Sequence, residues 1–476
     1  MRKHSLFKSM VIILLLVLVL TYIIPARAGE VSYLPFGDIV TNYIQSYYYF
    51  FDTAVFVLAV GAFYGVLNKV GAYKKLLDTI VAKVKPNGKR FVFAMVVIFA
   101  LFAALTGIVN PLMIFIPFVV SIILLLGYDK LIAISSTVIA TLVGFIGGVF
   151  VTFRDPNNYY GYSSTTFEKF VGIGDYANII PKIVLLVLGV ALLIWFINRH
   201  IKDVENKKVK YNLNNNSELL VTEVKGNYKD IKTWPLIVIL SVLLVLLILG
   251  LVPWNDLFKI EVFTKFHTWI SELSIKNFNI FGSIISSVFT AFGKWAELGS
   301  YMMTIVIMFI ATVVIKLVYK VKLDDLMTDM AEGAKKLLPT AALMMLAFCI
   351  LVCTYNNGFV ETIISKVSTK GDINFVVASL VTMLGSLLHV DIYYTVAGVF
   401  SPILSAVANE AMLNVFALLF QSIYGLMLII GPTSILLIFA LSYLDVPYTT
   451  WLKYIWRFVL SLFIIIFAML LIIALI

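Results

Sequence analysis

A succession of long apolar stretches, separated by short polar loops, limits what this chain can fold into. Most of these stretches have the length that an α-helix needs to cross about 30 Å of hydrocarbon. With 61% hydrophobic and 13% charged residues, the 476-residue sequence predicts an all-α polytopic membrane protein. The stretches cover residues 9–26, 51–69, 90–109, 111–127, 131–151, 179–197, 233–252, 296–318, 338–354, 373–389, 392–409, 411–444 and 455–476.

The formal net charge of +10 comes from basic residues that lie between the apolar stretches. Lysine and arginine in short loops mark the cytoplasmic side, so this charge indicates orientation in a bilayer and not binding to nucleic acid. We therefore expect loops 70–90, 198–232 and 316–337 inside the cell, and loops 253–294 and 355–372 outside. The protein is predicted to be a multi-pass protein of the cell (plasma) membrane with a cytoplasmic N-terminus.

Residues 1–28 are similar to a secretory signal peptide that ends in Ala26-Arg27-Ala28. Pro25 lies inside that site and disfavours cleavage, so we expect an uncleaved first helix. Cys349 and Cys353 are one helical turn apart in an apolar run, which favours helix packing over a disulfide or a metal site. No nucleotide-binding or nucleophile motif is present, and we expect neither an enzyme nor an ATP-driven pump.

The stretch 411–444 is interrupted near its middle by Gly431 and Pro432. Proline removes a backbone donor and clashes with the preceding turn, so a plain membrane helix gains nothing from it. Broken backbone at membrane depth is tolerated where it lines a wet cavity, and secondary transporters place substrate sites at such breaks. The alternative is a proline kink, in which Thr433 and Ser434 satisfy neighbouring carbonyl groups.

A similar order of features occurs twice. Residues 51–151 and 338–444 each contain an apolar span, an amphipathic connector, a broken run, a run with a proline and an interrupted long span. The lysine-rich first connector is predicted inside and the charge-balanced second connector outside, which is typical of two inverted-topology repeats with alternating access. The predicted helix breaks are Gly107, Pro111 and Gly144 in the first unit, and Gly385, Gly431 and Pro432 in the second.

These predictions divide the chain into five parts. They are an N-terminal anchor helix and outer loop (1–50), repeat 1 (51–197), a disordered cytoplasmic linker (198–232), connecting helices with an outer amphipathic segment (233–337) and repeat 2 (338–476).

Polar residues deep in apolar spans are costly, so they are candidates for a substrate site. We expect Asn110, Asp391, Thr433 and Ser434 to bind substrate, with His389 assisting Asp391 in protonation. Asp391 is the only carboxylate predicted well inside the spans of either unit. The alternative places His389 and Asp391 at a hairpin tip in water. Carbonyl groups around Gly107 and Gly431 are candidate ligands of a coupling ion.

The chain resembles the YfcC-like basic amino acid antiporter family, which includes carriers of C4-dicarboxylates and belongs to the ion transporter superfamily of elevator-type carriers. The most specific matches are Gln421, Gly425, Pro432-Thr433-Ser434, Val446-Pro447-Tyr448 and Trp451-Leu452-Lys453. Two departures lie at the breaks. The family has an acidic pair where this chain has Asn110 and Pro111, and a proline and serine run where this chain has Leu387 to Asp391.

The resemblance implies a secondary active transporter of a basic amino acid, of the arginine/ornithine type. It also implies a homodimer by analogy. Carriers of C4-dicarboxylate or of small peptides are alternatives, and a non-transporting membrane scaffold or sensor is an alternative of another class. A dicarboxylate would be repelled by a charged Asp391. Neither a cofactor nor a bound metal is expected; Na⁺ or H⁺ is the candidate coupling ion.

Overall fold

The computed structural model describes residues 5–23, 33–154, 162–206, 208, 228–276, 278–280, 291–295, 301–367 and 373–475. This described part of the chain is nearly all helical, and nine of its helices are long and apolar enough to cross a membrane. Four shorter apolar helices accompany them. The prediction of a polytopic, all-α membrane protein is therefore confirmed.

The described residues of the first half of the chain form eight helices and a short β-hairpin. The hairpin consists of β1 (Val151–Arg154) and β2 (Tyr162–Thr165), which pair antiparallel, and a π-helical turn at Ser135–Ile139 interrupts α6. The helices are α1 (Ser5–Ile23), α2 (Phe36–Lys69), α3 (Gly71–Val84), α4 (Gly88–Thr106), α5 (Ile116–Leu125), α6 (Lys130–Ile146), α7 (Phe167–Val171) and α8 (Ile179–Glu205).

In the described second half, a two-residue hairpin of β3 (Ser274–Ile275) and β4 (Phe278–Asn279) follows α11, and α16 contains a π-helical turn at Val396–Phe400. The helices are α9 (Trp234–Leu251), α10 (Trp254–Phe258), α11 (Val262–Glu272), α12 (Met302–Tyr319), α13 (Leu323–Asn356), α14 (Phe359–Val367), α15 (Phe375–Leu388), α16 (Ile392–Ser405), α17 (Leu413–Ile430), α18 (Ile435–Tyr443) and α19 (Tyr448–Leu475).

Helices α2 and α13 have 34 residues each and pack antiparallel along one another. The Asn42 amide donates to the Cys353 sulfur at one end of the pair. At the other end, a Cβ atom added to Gly333 would lie 2.1 Å from the carbonyl oxygen of Gly61. Because only glycine allows so close an approach of two backbones, these residues fix where the two helices cross.

The broken stretch is the most enclosed of the apolar spans that the structure describes. In the 18-residue apolar segment of Glu410–Tyr443, 94% of the residues are buried, whereas 22% are buried in the corresponding segment of α19. Helix α17 packs against α6, α7, α15 and α19. The interruption at Gly431 and Pro432 is thus enclosed by protein, as an irregular backbone at membrane depth requires.

Two predicted helix breaks do not occur where they were expected. Gly144 lies inside α6 and Gly385 inside α15; the helices end later, at Ile146 and Leu388. A Cβ atom at Gly144 would lie 2.1 Å from the Ala100 carbonyl oxygen, and one at Gly385 would lie 2.6 Å from Val399. Both glycines therefore allow close helix packing within continuous helices.

Other segments also differ from the sequence predictions. Helix α2 begins at Phe36, well before the predicted span 51–69. The residues that precede this span, 36–50, are rich in tyrosine and phenylalanine and belong to the same helix. Helix α8 continues to Glu205, so the start of the predicted disordered linker is helical. Most of the remaining linker lies outside the described residues.

Candidate functional site

A cavity of about 720 Å³ lies where three breaks in the apolar helices meet the α2–α13 pair. Small-molecule sites in proteins commonly have about 300–1,000 Å³. The breaks contribute the segments Gly107–Pro111, Val390–Ile392 and Ser434–Leu436 to the cavity wall. Residues far apart in the sequence, from both predicted repeats, thus form one chamber. Its α2 and α13 walls are formed by Tyr49, Phe50, Asp52, Thr53, Phe348, Leu351, Val352, Tyr355 and Asn356.

The first break begins at Gly107, which has a left-handed backbone (φ 71°) and ends α4. The Thr106 hydroxyl accepts a hydrogen bond from the Ile108 amide (3.2 Å) and donates to the Phe102 carbonyl (2.6 Å). Asn110 and Pro111 then begin a 3₁₀ turn, Asn110–Ile114, and both face the cavity. Gly107, Asn110 and Pro111 thus lie together in the cavity wall, and substrate binding by Asn110 stays a prediction.

The second break lies between α15 and α16. Asp391 caps α16, because its Oδ1 accepts hydrogen bonds from the amides of Tyr393 (2.9 Å) and Tyr394 (3.4 Å). The Thr395 hydroxyl is 2.8 Å from the carbonyl oxygens of both His389 and Asp391, which holds the break in place. Asp391 thus lines the cavity from the N-terminal end of a helix, in a fixed position.

The third break, at Gly431–Ser434, separates α17 from α18. Ser434 occupies the N-cap position of α18 and lines the cavity, yet its side chain makes no capping hydrogen bond. Its hydroxyl is buried and has no hydrogen-bond partner among the described residues. A buried, unpartnered hydroxyl at a helix N-terminus is suited to a ligand that supplies the missing hydrogen bond.

Thr433 and His389 lie outside the cavity wall, and substrate binding by Thr433 stays a prediction. The Thr433 hydroxyl donates to the Leu387 carbonyl (2.8 Å) and so ties the third break to the end of α15. His389 is 1% exposed, and its ring packs against Tyr355 and beside Gly398. Both residues are thus packed next to the breaks without lining the cavity. A role of His389 in protonation stays a prediction.

The last two carbonyl groups of α17, before the third break, accept hydrogen bonds from side chains of α19. The Tyr448 hydroxyl donates to the Ile430 carbonyl (2.6 Å), and the Trp451 indole donates to the Ile429 carbonyl (3.1 Å). These two carbonyl oxygens were candidate ligands of a coupling ion, and the structure uses them for helix packing. The tyrosine and tryptophan of the C-terminal motif thus have a structural role at the break.

Gln421 joins the two halves of the molecule. From the middle of α17, its side-chain amide donates to the carbonyl oxygens of Phe145 (2.7 Å) and Gly148 (2.6 Å), where α6 ends. A buried side chain that satisfies two carbonyl groups at a helix end offsets the cost of ending the helix inside the protein.

Asp52 is a second carboxylate in the cavity wall, and the sequence analysis missed it. Helix α2 departs from helical geometry at Phe50 (φ −124°, ψ 24°), and the Asp52 carboxylate accepts a hydrogen bond from the Thr53 amide (2.8 Å). It lies in the wall of the same cavity as Asp391. The predicted span began at residue 51, which placed Asp52 at a membrane edge; helix α2, beginning at Phe36, places it mid-helix.

The cavity wall is acidic and aromatic. Asp52 and Asp391 are its charged side chains, and no lysine, arginine or histidine belongs to the wall as far as the structure describes it. No group of three or more metal-ligating side chains occurs among the described residues either. Six tyrosines complete the aromatic surface: Tyr49, Tyr301, Tyr355, Tyr393, Tyr394 and Tyr424.

Comparison with known proteins identifies a family. Residues 5–475 match the model of a family described as C4-dicarboxylate anaerobic carrier. A segment of 107 residues is 29% identical to an uncharacterized protein of Haemophilus influenzae and covers 22% of this chain. That match spans about a fifth (21%) of the relative's length. No solved structure matches this chain.

Proposed function

Because this chain belongs to the C4-dicarboxylate anaerobic carrier family, we propose that it is a secondary active transporter whose substrate binds in the cavity between the three breaks. Membership supports a carrier in general. We further propose that the substrate carries an amine, and that it is a basic amino acid of the arginine/ornithine type. The proposal of an amine is based on the negative charge of the cavity wall.

The presence of two carboxylates is the observation that carries this proposal. Asp52 and Asp391 share the cavity, and its described wall contains no basic side chain. Like charges repel strongly where water is scarce, so a cationic group is the complement of this pair. The α-carboxylate of an amino acid would then lie near Ser434, where helix α18 begins and an unpartnered hydroxyl faces the cavity.

A C4-dicarboxylate is the second candidate, and the name of the family favours it. Two substrate carboxylates would meet two aspartates. Binding would therefore need protons or cations such as Na⁺ to neutralise Asp52 and Asp391. Under this alternative the aspartates hold the coupling ion, and uptake of the dicarboxylate requires a gradient of that ion.

We propose alternating access between two inverted repeats, 51–197 and 338–476, as the transport mechanism. Helices α2 and α13 are equal in length and antiparallel, and each precedes a short helix and a broken helix pair. This order of elements supports the repeat. Movement of the elements around the breaks against a fixed scaffold would be an elevator-type motion, and a homodimer would supply that scaffold.

Uptake into proteoliposomes tests the substrate. Vesicles loaded with ornithine, with succinate or with buffer alone receive labelled arginine or labelled succinate outside. The proposal expects arginine uptake that ornithine loading accelerates. Succinate uptake without arginine uptake would overturn the amine and leave the carrier standing, whereas no uptake with a wider panel of solutes would favour a non-transporting scaffold.

Charge removal then tests the site. A hydrogen bond to a charged group contributes about 1.5–3 kcal/mol, which corresponds to roughly 10–100-fold in affinity. We expect Asp52→Asn and Asp391→Asn each to raise the KM for arginine by that factor. Asp324→Asn, at an exposed aspartate of α13, is the matched control and should leave the KM unchanged. An unchanged KM in both cavity variants would remove the amine from this site.

A further inference from the structure

Helix α11 exposes an apolar face although it lies between membrane spans. Val262 is 66% exposed, Phe266 46% and Trp269 59%. Their spacing of four and three residues places the three side chains on one side of the helix. No residue of α11 is buried, so the rest of the described molecule leaves this face uncovered.

The opposite side of α11 is polar. Glu261 and Thr268 lie on that side and are exposed, and Lys265, at the edge between the two sides, forms an ion pair with Glu261 at 2.9 Å. An amphipathic helix with phenylalanine and tryptophan on one side and charges on the other suits the boundary between lipid headgroups and acyl chains.

The position of α11 in the chain supports a lipid partner. Helix α9 ends at Leu251 and α12 begins at Met302, and each is apolar enough to span the membrane. Both have exposed apolar side chains that a bilayer would cover, such as Val245 and Phe309. The apolar face of α11 therefore lies close along the chain to surfaces that contact lipid.

A row of aromatic rings links α11 to the cavity. The ring of Phe263 lies 6.4 Å from that of Phe292, which lies 5.5 Å from that of Trp295. Trp295 is 3% exposed and forms part of the cavity wall. Its backbone amide donates to the Gly250 carbonyl (3.1 Å), and its ring lies where a Cβ atom of Gly250 would be. The row is thus packed against the end of α9.

We propose that α11 is an interfacial helix, whose apolar face inserts into the membrane surface and thereby positions Trp295 in the cavity wall. The partner is the lipid boundary itself. The charges of the ion pair cancel, so insertion depends on apolar area more than on anionic lipid. The link to the cavity rests on the proposed transport site, but the membrane contact does not.

Spin labels test the membrane contact. Phe266→Cys and Thr268→Cys are labelled in a Cys349→Ala, Cys353→Ala background, and the full-length protein is reconstituted into phosphatidylcholine vesicles. Both positions are exposed in the structure, so solvent exposure alone predicts equal behaviour. We expect the label at 266 to be relaxed by oxygen and the label at 268 by a water-soluble nickel chelate.

Equal relaxation by the chelate at both positions would overturn the proposal. Spin–spin broadening at 266 that disappears on dilution with unlabelled protein would overturn it too, because a second copy of the chain would then cover the face. Neither result depends on transport, so failure here is distinguishable from failure of the proposed substrate.

A thiol-reaction rate tests the link to the cavity. Tyr49 lies in the cavity wall and is 57% exposed, so Tyr49→Cys in the same background reports access to the cavity. Adding Phe266→Ser and Trp269→Ser should change its rate of reaction with a polar thiol reagent several-fold in vesicles. Thr268→Ser, on the polar side of α11, is the control. An unchanged rate in the double variant would overturn the link.

Discussion

Two neighbouring hydroxyl groups at the third break have different surroundings. The Thr433 hydroxyl donates to the Leu387 carbonyl, whereas the Ser434 hydroxyl has no partner among the described residues and faces the cavity. Replacing each hydroxyl therefore has a different consequence, because only the Thr433 hydroxyl has a hydrogen-bond partner in the described part of the protein.

Thr433→Val should lower the free energy of unfolding by about 1–3 kcal/mol, because it leaves a buried carbonyl without its donor. Ser434→Ala should leave the stability nearly unchanged and raise the KM for substrate up to about tenfold, the effect of one neutral hydrogen bond. Thermal unfolding in detergent and uptake kinetics measure the two effects. The reverse assignment, with a stability loss in Ser434→Ala and only a KM change in Thr433→Val, would contradict this interpretation.

The position of Asp52 in the middle of a helix could not be predicted from its neighbours in the sequence. It lies at the start of an apolar stretch, directly after a run of aromatic residues. Those residues have amphipathic rings, which are as common at a membrane edge as inside a helix. The length of α2 was the missing information, and the polar residues in its first turns masked it.

At the scale of elements, several glycines act at helix crossings and not at helix breaks. Gly144 and Gly385 were predicted as interruptions, and they instead allow two helices to touch. The same holds for Gly333 against Gly61 and Gly65. In a sequence, a glycine in an apolar helix is compatible with a helix break or with a close contact between two helices. The backbone packed against it decides which of the two occurs.

Gly333→Ala should destabilise the protein by about 1–3 kcal/mol or more, because its Cβ atom would force α2 and α13 apart. Gly37→Ala in α2 is the matched control, since nothing lies within 4 Å of a Cβ atom there, and it should be neutral or slightly stabilising. Thermal unfolding of both variants in one detergent measures the difference. Equal unfolding temperatures of the two variants would show that α2 and α13 do not approach each other as closely at Gly333 as the structure indicates.

At the scale of the whole molecule, orientation in the membrane is a prediction from the distribution of lysine and arginine. Thr268 in α11 is expected outside the cell and Lys202 near the end of α8 inside, and both side chains are exposed. A membrane-impermeant thiol reagent should label Thr268→Cys in intact cells, and Lys202→Cys only after permeabilisation. Labelling of Lys202→Cys in intact cells would reverse the topology.

Much of the architecture follows from local properties of the sequence. Long apolar runs predict membrane helices because unpaired backbone groups are too costly in hydrocarbon, and Gly431 with Pro432 predicts a break because proline cannot continue the hydrogen-bond ladder. Asn110, Asp391 and Ser434 were recognised as polar residues at breaks, and all three line the cavity. These inferences needed only the chain's own neighbours in sequence.

The roles within the site required the tertiary structure. Whether a hydroxyl or a carbonyl group is available to a ligand depends on the nearest donor or acceptor from another helix, as at Thr433, Ile430 and Gln421. That Asp52 and Asp391 line one cavity depends on how α2 packs beside α16, where the rings of Phe50 and Tyr394 lie 5.7 Å apart. The sequence by itself determined that this is a membrane protein with broken helices, since each residue's cost in lipid is a local property. The tertiary structure alone decided which polar groups face the cavity, because burial and partners belong to the packed molecule.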